Sequence, residues 1–499
     1  MGTMGITGNT RVVAGASPSS RWPRPGVARR VAEPCLGSVP GLTRRRLAGA
    51  AGAGVLAAFA TACGPAGGAP PKPSEVKGRI VFYTRGGEVE TRGQQEILIP
   101  TFQRVAPNVE VVHEVFAAAA GETYTTKLYA MYAAGTPPDV FGFGQNYMGF
   151  WARGMLLDLT PLITRDRYDL NQFLTGLPEK FRVKGKYYGI PQLTTFGTLL
   201  FYNKKLFDDA GLKYPPVDWD DRSWTYDQML EIARKLTKNP GTPEAIYGLN
   251  YGPQRPTMYA WNFGGDAYLP EHWTNGIAPR TQLDSDASIR GHEFAQDLRW
   301  KHHGSPRIGT DPTTGISFTA GRYAMDVNGG WYFWTQSVIK DFKWAAAAIP
   351  HQVNNKNVAY NDFWEISSQT REREAAWAFV KHLASPEVQR QYSELTGTPP
   401  TTKAALDTWY KRVETSSLSM TRAELEKVVQ GAIDPKRSQE SADHLFIDWS
   451  QLSDYYGREV GTPLDRREGT AKEIIARAKP GYDAIAKELY DRYQGKTPS

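Results

Sequence analysis

The stretch that decides the fold runs from Arg79 to Phe143 and reads RIVFYTRGGEVETRGQQEILIPTFQRVAPNVEVVHEVFAAAAGETYTTKLYAMYAAGTPPDVFGF. Three short apolar segments in it have the pattern of strands, and two segments between them have helical spacing. In chain order these are 79–83 (strand), 94–104 (helix), 109–115 (strand), 122–134 (helix) and 139–143 (strand). Strands that alternate with helices predict an α/β fold with a mainly parallel sheet and right-handed crossovers.

Ligands on such sheets bind beyond the carboxyl ends of the strands. Arg85 follows the first strand, and Gln145 and Asn146 follow the third. We therefore expect these three side chains to line a ligand site. The guanidinium of Arg85 suits a carboxylate or phosphate group on a ligand.

The second half of the chain shows clear helix boundaries. Thr225 and Gln228 have the spacing of a capping box before an apolar periodic run. Ser385 and Pro386 pair an N-cap residue with proline at the first helical position. The stripe just before them is predicted to be core, and consists of Ala376, Phe379, Val380 and Leu383. A folded region of about 425 residues exceeds what one core usually organises, so two lobes are expected.

The segment LTRRRLAGAAGAGVLAAFATACG at residues 42–64 has the pattern of an export signal. Arg44 and Arg45 stand before residues 47–62, which carry no charge. That span of 16 residues is shorter than the roughly 20 of a membrane-spanning helix. The end of the segment, through Cys63, resembles a bacterial lipobox, and the paired arginines resemble the twin-arginine type of signal. We predict that residues 1–62 are an export signal with a long N-terminal extension, with the Tat or Sec route left open, and that Cys63 is lipidated.

Charge and cysteine content exclude several classes of function. The chain has net charge +7, but residues 1–62 hold eight arginines and a single acidic residue. The remainder has 51 basic and 51 acidic residues, so no basic surface for nucleic acid is expected. The two cysteines are Cys35 and Cys63, so the folded part has no disulfide, thiol nucleophile or cysteine metal site. No metal and no cofactor are predicted.

Several short segments of the sequence occur in the same order as in one protein family. They are KGKYYGIP at 184–191, TLLFYNK at 198–204, SWTYD at 223–227, FTAGRYAM at 318–325, GGW at 329–331, AAWAFVKHL at 375–383 and GTPP at 397–400. Together they resemble the extracellular solute-binding proteins of ABC importers, in the maltose-binding-like sugar group. The resemblance covers nearly all of residues 79–405 and is weaker in the tail.

The resemblance implies a two-lobe periplasmic-binding-protein fold with crossing segments that act as a hinge. Residues 64–78 are rich in Gly and Pro with almost nothing to bury, so we predict that residues 63–78 are a flexible tether. On the family pattern, lobe one is 76–196 plus 349–390. Lobe two is then 197–348 plus 391–499. The crossings are placed at the strands through Leu199–Tyr202 and Trp344–Ile349. The family also implies that the protein is a monomer on the outer face of the membrane, held by its lipid anchor, and that it delivers a carbohydrate from the cleft to an ABC permease.

Sugars present apolar C–H faces and rings of hydroxyl groups, which aromatic and polar side chains satisfy respectively. Trp331, after two glycines, lies where the family places a stacking aromatic residue, and the bare backbone before it would let a flat ligand approach. The other candidates from the resemblance are Tyr259, Trp261, Asp266, Asp362 and Trp364.

Two other classes of function are alternatives to a transport binding protein. An exported enzyme acting on carbohydrate needs two carboxylates that flank one bond, and no spaced motif marks such a pair. The sequence also lacks an H-E-x-x-H motif, and residues 63–499 contain no G-x-S-x-G motif. We therefore predict a binding protein rather than an enzyme. A surface sensor that uses the same fold without transport stays an alternative, since a fold does not fix function.

Overall fold

The strand–helix–strand segment forms as predicted. We describe residues 70–116, 121–142, 146–414 and 417–498 from a computed structural model. The strands are β1 (Gly78–Arg85), β2 (Val109–Phe116), β3 (Val140–Gly142), β4 (Arg182–Val183), β5 (Lys186–Tyr187), β6 (Ile190–Thr194), β7 (Thr198–Asn203), β8 (Tyr247–Tyr251), β9 (Tyr323–Gly329), β10 (Trp344–Ala347), β11 (Asn357–Ala359), β12 (Asn361–Ile366) and β13 (Ser438–Glu440).

The first α-helices in the chain are α1 (Glu88–Gly93), α2 (Ile99–Val105), α3 (Gly121–Ala133), α4 (Tyr147–Ala152), α5 (Thr160–Asp166), α6 (Lys204–Asp209), α7 (Tyr226–Leu236), α8 (Thr257–Asn262), α9 (Pro270–Asn275) and α10 (Asp286–Trp300). The later ones are α11 (Arg373–Leu383), α12 (Pro386–Thr396), α13 (Lys403–Glu414), α14 (Arg422–Ile433), α15 (Ala442–Leu445), α16 (Trp449–Tyr456), α17 (Thr462–Arg466) and α18 (Ala471–Tyr493). Short 3-10 helices lie at Pro73–Glu75, Leu170–Gln172, Pro178–Phe181 and Gly330–Ser337, and π-helical turns at Gln94–Leu98 and Gly457–Gly461. None of the helices in the described part of the chain is long and apolar enough to cross a membrane.

The first sheet has the strand order β2–β1–β3–β12–β6. β1 runs parallel to β2 and β3, whereas β12 runs antiparallel to β3 and β6. Phe82 of β1 lies in one hydrophobic core, and its neighbour Tyr83 lies in another, where it stacks on Tyr124 at 5.0 Å between ring centroids. Because successive residues of a strand point to opposite faces, both faces of this sheet are covered.

The second sheet has the strand order β10–β7–β9–β8. β7 is antiparallel to both β10 and β9, and β8 is parallel to β9. All six residues of β7 are buried, as expected for a central strand covered on both faces. The α/β class and the two-lobe fold are confirmed. Each sheet runs mainly in one direction, with a single strand antiparallel to both of its neighbours: β12 in the first sheet and β7 in the second.

Two segments connect the sheets. Residues 195–197 link β6 to β7, and residues 348–360 lie between β10 and β12. The segments predicted to cross between the lobes form β7 and β10, which pair with each other inside the second sheet. The chain therefore crosses in the segments next to these two strands and not in the strands themselves. The backbone N–H of Gly330 donates to the carbonyl of Gly197 at 2.7 Å and so holds the first link.

Both helices begin at the predicted residues, but only Thr225 caps its helix through the side chain, and Ser385 makes no side-chain cap. Oγ1 of Thr225 accepts a hydrogen bond from the N–H of Gln228 at the start of α7, and Pro386 is the first residue of α12. The apolar stripe of α11 is buried in the core of the first lobe, as predicted. α12 continues to Thr396, and a Cβ atom on Gly93 of the first lobe would lie 2.5 Å from the ring of Tyr392. The predicted lobe boundary at residue 390 therefore falls inside one helix.

The C-terminal helices contact both lobes. One hydrophobic core contains Tyr83 and Phe141 from the first sheet, Tyr268 from the segment before α9, and Phe446 and Tyr482 from the tail. The hydroxyl groups of Tyr268 and Tyr482 are 2.6 Å apart, within hydrogen-bond distance. The tail therefore packs across the two lobes, and the prediction assigned it to lobe two alone.

Candidate functional site

Ionisable side chains from three distant parts of the chain meet between the lobes. Arg85 ends β1, Glu90 lies in the first turn of α1, and Asp362 lies in β12. The tail adds Glu440 of β13 and two residues of α15. We call this set the interlobe cluster, and its members are Arg85, Glu90, Asp362, Glu440, Asp443 and His444.

The parallel strand β1 places Arg85 at its carboxyl end, the edge where ligands of α/β sheets bind. Glu90 accepts a hydrogen bond from the N–H of Gly87 at 3.2 Å, which fixes the turn after β1. The tail reaches the same edge because the N–H of Asn146 donates to the carbonyl of Asp443 at 2.6 Å.

His444 is fixed by Glu440. Its Nδ1 lies 2.6 Å from Oε1 of Glu440, and a carboxylate only accepts, so Nδ1 carries the proton and donates. The other oxygen of Glu440 accepts from Nδ2 of Asn361 at 2.6 Å. Nε2 of His444 faces Oδ1 of Asp362 at 3.8 Å. The imidazole therefore has a defined orientation, with one ring nitrogen paired and the other aimed at β12.

Burial and charge act in opposite directions on these groups. Burial lowers the pKa of His444, but the carboxylates of Asp443, Glu440 and Asp362 outweigh it and raise the pKa to about 9. Burial raises the pKa of Asp362 to about 7, against the opposing effect of His444 and Arg85. Burial likewise raises the pKa of Glu90 and lowers that of Arg85. The cluster is thus a poorly solvated set of charges that compensate one another.

Aromatic rings stand beside the cluster. The ring of Tyr360 lies edge-on to Trp331 at 5.1 Å and edge-on to the imidazole of His444 at 6.2 Å. Trp331 is half-buried. The sequence suggested that the two glycines before Trp331 leave open space for a ligand, but the structure shows that the space is filled. A Cβ atom on Gly329 would lie 2.1 Å from the Trp331 ring, and one on Gly330 would lie 1.5 Å from the carbonyl oxygen of Thr195.

Four of the sequence candidates lie in or beside hydrophobic cores and are not brought to the cluster. Tyr259 is fully buried and stacks on Tyr251 at 5.3 Å. Trp261 is buried and donates through Nε1 to Asp266 at 2.8 Å. That carboxylate also accepts from the indole of Trp273 at 3.0 Å, so its contacts are structural.

Trp364 is buried against Phe82, at 5.4 Å between ring centroids, in the core of the first lobe. Asn146 meets the cluster only through its backbone, because its side chain donates to the hydroxyl of Tyr129. Gln145 lies outside the described residues. Of the candidates, Arg85 and Asp362 therefore lie in the cluster, and Trp331 lies beside it through Tyr360.

Sequence reasoning missed Glu90, Tyr360, Glu440, Asp443 and His444. The tail shows one local signal, the run ESADH at residues 440–444, in which two acidic residues and a histidine follow one another closely. Nothing in that run indicates its partner Asp362, because the two are joined only by the packing of the tail across the lobes.

Protonation of the cluster predicts how stability depends on pH. Between pH 6.5 and about 9 the folded protein holds a proton on His444 that the unfolded chain releases, so the free energy of unfolding falls as the pH rises. Asp362 acts in the same direction below about pH 7, because its pKa is also raised on folding. Urea unfolding at pH 6.5 and at pH 9 measures the change for wild type and for His444→Gln.

We expect His444→Gln to flatten the dependence between pH 6.5 and about 9. The exposed His303, whose φ of 54° suits asparagine, provides the control. His303→Asn should keep the wild-type dependence. An unchanged dependence in His444→Gln would contradict the assignment.

The fold with two α/β lobes and a polar cluster between them is that of periplasmic binding proteins, and solved structures of this class resemble the chain. An ABC substrate-binding protein from Listeria monocytogenes in complex with cycloalternan has a TM-score of 0.67 at 21% identity, covering 82% of this chain and 99% of the other. Maltose-bound MalE3 from T. maritima has a TM-score of 0.64 at 23% identity, also covering 82% and 99%.

Residues 88–390 match the family described as bacterial extracellular solute-binding protein, and the chain belongs to that family. An uncharacterized ABC transporter extracellular-binding protein from Pyrococcus horikoshii is 26% identical over 151 residues. That match spans 30% of this chain and 32% of the relative.

Proposed function

We propose that the protein binds a carbohydrate, either a sugar, an oligosaccharide or a polyol, in the cleft at the interlobe cluster and delivers it to an ABC permease. The observation that carries the proposal is the junction of an aromatic pair, Trp331 and Tyr360, with a set of charged and hydrogen-bonding groups. Such a junction suits a ligand that has apolar ring faces and many hydroxyl groups. The solved relatives bound to cycloalternan and to maltose support the same ligand class.

A thermal-shift screen over mono- and oligosaccharides tests the proposal. A ligand that binds only the folded state raises stability with ln(1 + [L]/Kd), so sugars that bind raise the melting temperature in a concentration-dependent way. Uronic acids, glycerol phosphates and peptides belong in the same screen. A shift from peptides with none from any sugar would place the ligand in another class.

Trp331→Ala is expected to weaken binding of the best sugar about tenfold, because stacking of an indole on a sugar face contributes on the order of 1 kcal/mol or more. Its unfolding midpoint should change little, since the side chain is half-buried. Titration calorimetry and chemical unfolding of the same variant measure both effects. As a control, Tyr214→Ala removes an exposed ring beside Lys204 in the second lobe and should leave affinity unchanged. A large fall in the midpoint with unchanged affinity would assign Trp331 to packing.

We propose further that the protein is exported, tethered outside the cell through a lipid on Cys63, and active as a monomer. The export signal at 1–62 and Cys63 lie outside the described residues, and the support is the family together with the sequence pattern. Cys63→Ala should move the protein from the membrane fraction to the soluble extracellular or periplasmic fraction, as followed by immunoblot. Retention in the membrane would contradict the tether.

Binding without conversion is the activity proposed. Incubation of the protein with the sugar that binds best, followed by chromatography of the sugar, separates a binding protein from an enzyme. Uptake of the same labelled sugar by cells with and without the gene separates an importer from a sensor.

A further inference from the structure

His444 has a buried hydrogen-bonding atom without a partner. The residue is 1% exposed, and its Nδ1 is paired with Glu440 at 2.6 Å. Nε2 has no hydrogen-bond partner among the described residues, and the carboxylate that it faces, Asp362, lies beyond hydrogen-bond distance at 3.8 Å. Buried polar atoms in proteins are as a rule hydrogen-bonded, so a ligand atom or a water molecule is the expected partner of Nε2.

A group that fits between Nε2 of His444 and the carboxylate of Asp362 has to accept one hydrogen bond and donate another. Both ring nitrogens of His444 carry protons at neutral pH, because the surrounding carboxylates raise its pKa to about 9. Nε2 therefore donates, and Asp362, whose pKa is raised to about 7, accepts in its ionised form above that pH. One oxygen atom can lie about 2.8 Å from both atoms when these are 3.8 Å apart. A hydroxyl group has one donor hydrogen and accepting lone pairs, and so satisfies both sides.

We propose that His444 and Asp362 form a subsite that holds one uncharged ligand hydroxyl between the imidazole and the carboxylate, and that this subsite selects neutral sugars. The inference rests on the proposed carbohydrate-binding function. Tyr360 connects the subsite to the aromatic pair, since its ring contacts both His444 and Trp331. A sugar ring on the aromatic residues thus has a polar partner at its edge.

The charges of the interlobe cluster favour a neutral ligand. The cluster has four carboxylic acid side chains and two basic ones. Glu90, Asp362 and Asp443 all act electrostatically on Arg85. A ligand carboxylate or phosphate would meet these acids in a poorly solvated site, which is unfavourable. The charge balance therefore opposes the expectation that Arg85 binds an acidic group. Among the residues that the structure describes, no three His, Cys, Asp or Glu side chains are placed to share a metal ion.

The test uses the full protein with maltose, trehalose, cellobiose and mannobiose. Thermal shift selects the disaccharide that binds best, and calorimetry then compares it with its monodeoxy analogues and with its uronic acid form. Removal of the hydroxyl in the subsite leaves a buried donor and a buried acceptor unpaired, so one analogue should lose about a hundredfold in affinity. The other analogues should lose less than tenfold, and the uronic acid should bind more weakly than the parent disaccharide.

His444→Gln then identifies the protein side of the contact. In this variant the loss of affinity of the sensitive analogue relative to the parent disaccharide, which we call the penalty, should be at least tenfold smaller than in wild type. The control His303→Asn should keep the wild-type penalty. Asp362→Asn replaces His444→Gln if the latter does not fold, with the same expectation. An unchanged penalty in these variants, or tighter binding of the uronic acid than of its parent, would overturn the subsite and leave sugar binding intact. Absence of binding by all four disaccharides and by the wider sugar screen would overturn the proposed function, and the subsite with it.

Discussion

Replacement of Asp448 by asparagine is expected to lower the free energy of unfolding by about 3 kcal/mol, the lower end of the cost of breaking a buried ion pair. Nη1 and Nη2 of Arg153 lie 2.5 and 2.6 Å from the two oxygens of Asp448, whose side chain is only 2% exposed. The hydroxyls of Tyr129 and Tyr493 also donate to this carboxylate, each at 3.1 Å. Loss of the charge leaves the guanidinium uncompensated.

Asparagine is the suitable replacement because Asp448 has a φ of 56°, a conformation that asparagine tolerates and alanine does not. Urea unfolding measures the effect. Asp491→Asn is the matched control, since its ion pair with Lys487 is exposed on both sides and should contribute less than about 0.5 kcal/mol. Equal small changes in the two variants would show that the Arg153–Asp448 pair does not hold the tail to the first lobe.

Gly330→Ala is expected to destabilise the fold by about 3 kcal/mol, at the upper end of the usual cost of overpacking. The added Cβ atom would lie 1.5 Å from the carbonyl oxygen of Thr195, a backbone atom in the link between the sheets. The link would have to move, and with it the hydrogen bond from Gly330 to Gly197. Chemical unfolding measures the loss, and calorimetry on the folded fraction shows whether sugar affinity falls as well.

Gly457→Ala is the control for this substitution. Apart from its chain neighbours and its own helix backbone, no described atom lies within 4 Å of the position of its Cβ, and its φ is −56° in a helical turn. Its stability should stay within about 0.5 kcal/mol of wild type. If Gly330→Ala were as stable as wild type, this result would contradict the close packing of Gly330 against residues 195–197.

The first sheet was predictable because its signals are local. The apolar spacing of residues 79–143 specifies three strands and two helices, and the strands pair as that order requires. The position of β12 in the sheet could not be predicted from local sequence patterns, because its neighbours β3 and β6 are distant in sequence. For the same reason the sequence did not show that Trp364 packs under the sheet while Asp362 faces the tail.

The candidate site was predictable in part. Arg85 follows from the rule for strand ends, and Trp331 and Asp362 follow from the resemblance. Tyr259, Trp261 and Asp266 also follow from the resemblance, but aromatic and polar residues of these types also build cores, as the two indoles on Asp266 show. His444 depends on tertiary packing of the tail, which no local pattern encodes.

The sheet order also has a consequence for how the chain folds. β3 receives its partner β12 only after the whole of the second sheet has been made, so until then the first sheet has an open edge at β3. Pairings between distant segments form slowly, and an unpaired strand edge can pair with another chain. The first sheet is therefore the last of the two sheets to be completed although it begins the fold, and the nascent chain can associate with other chains through this edge until residues 361–366 are made.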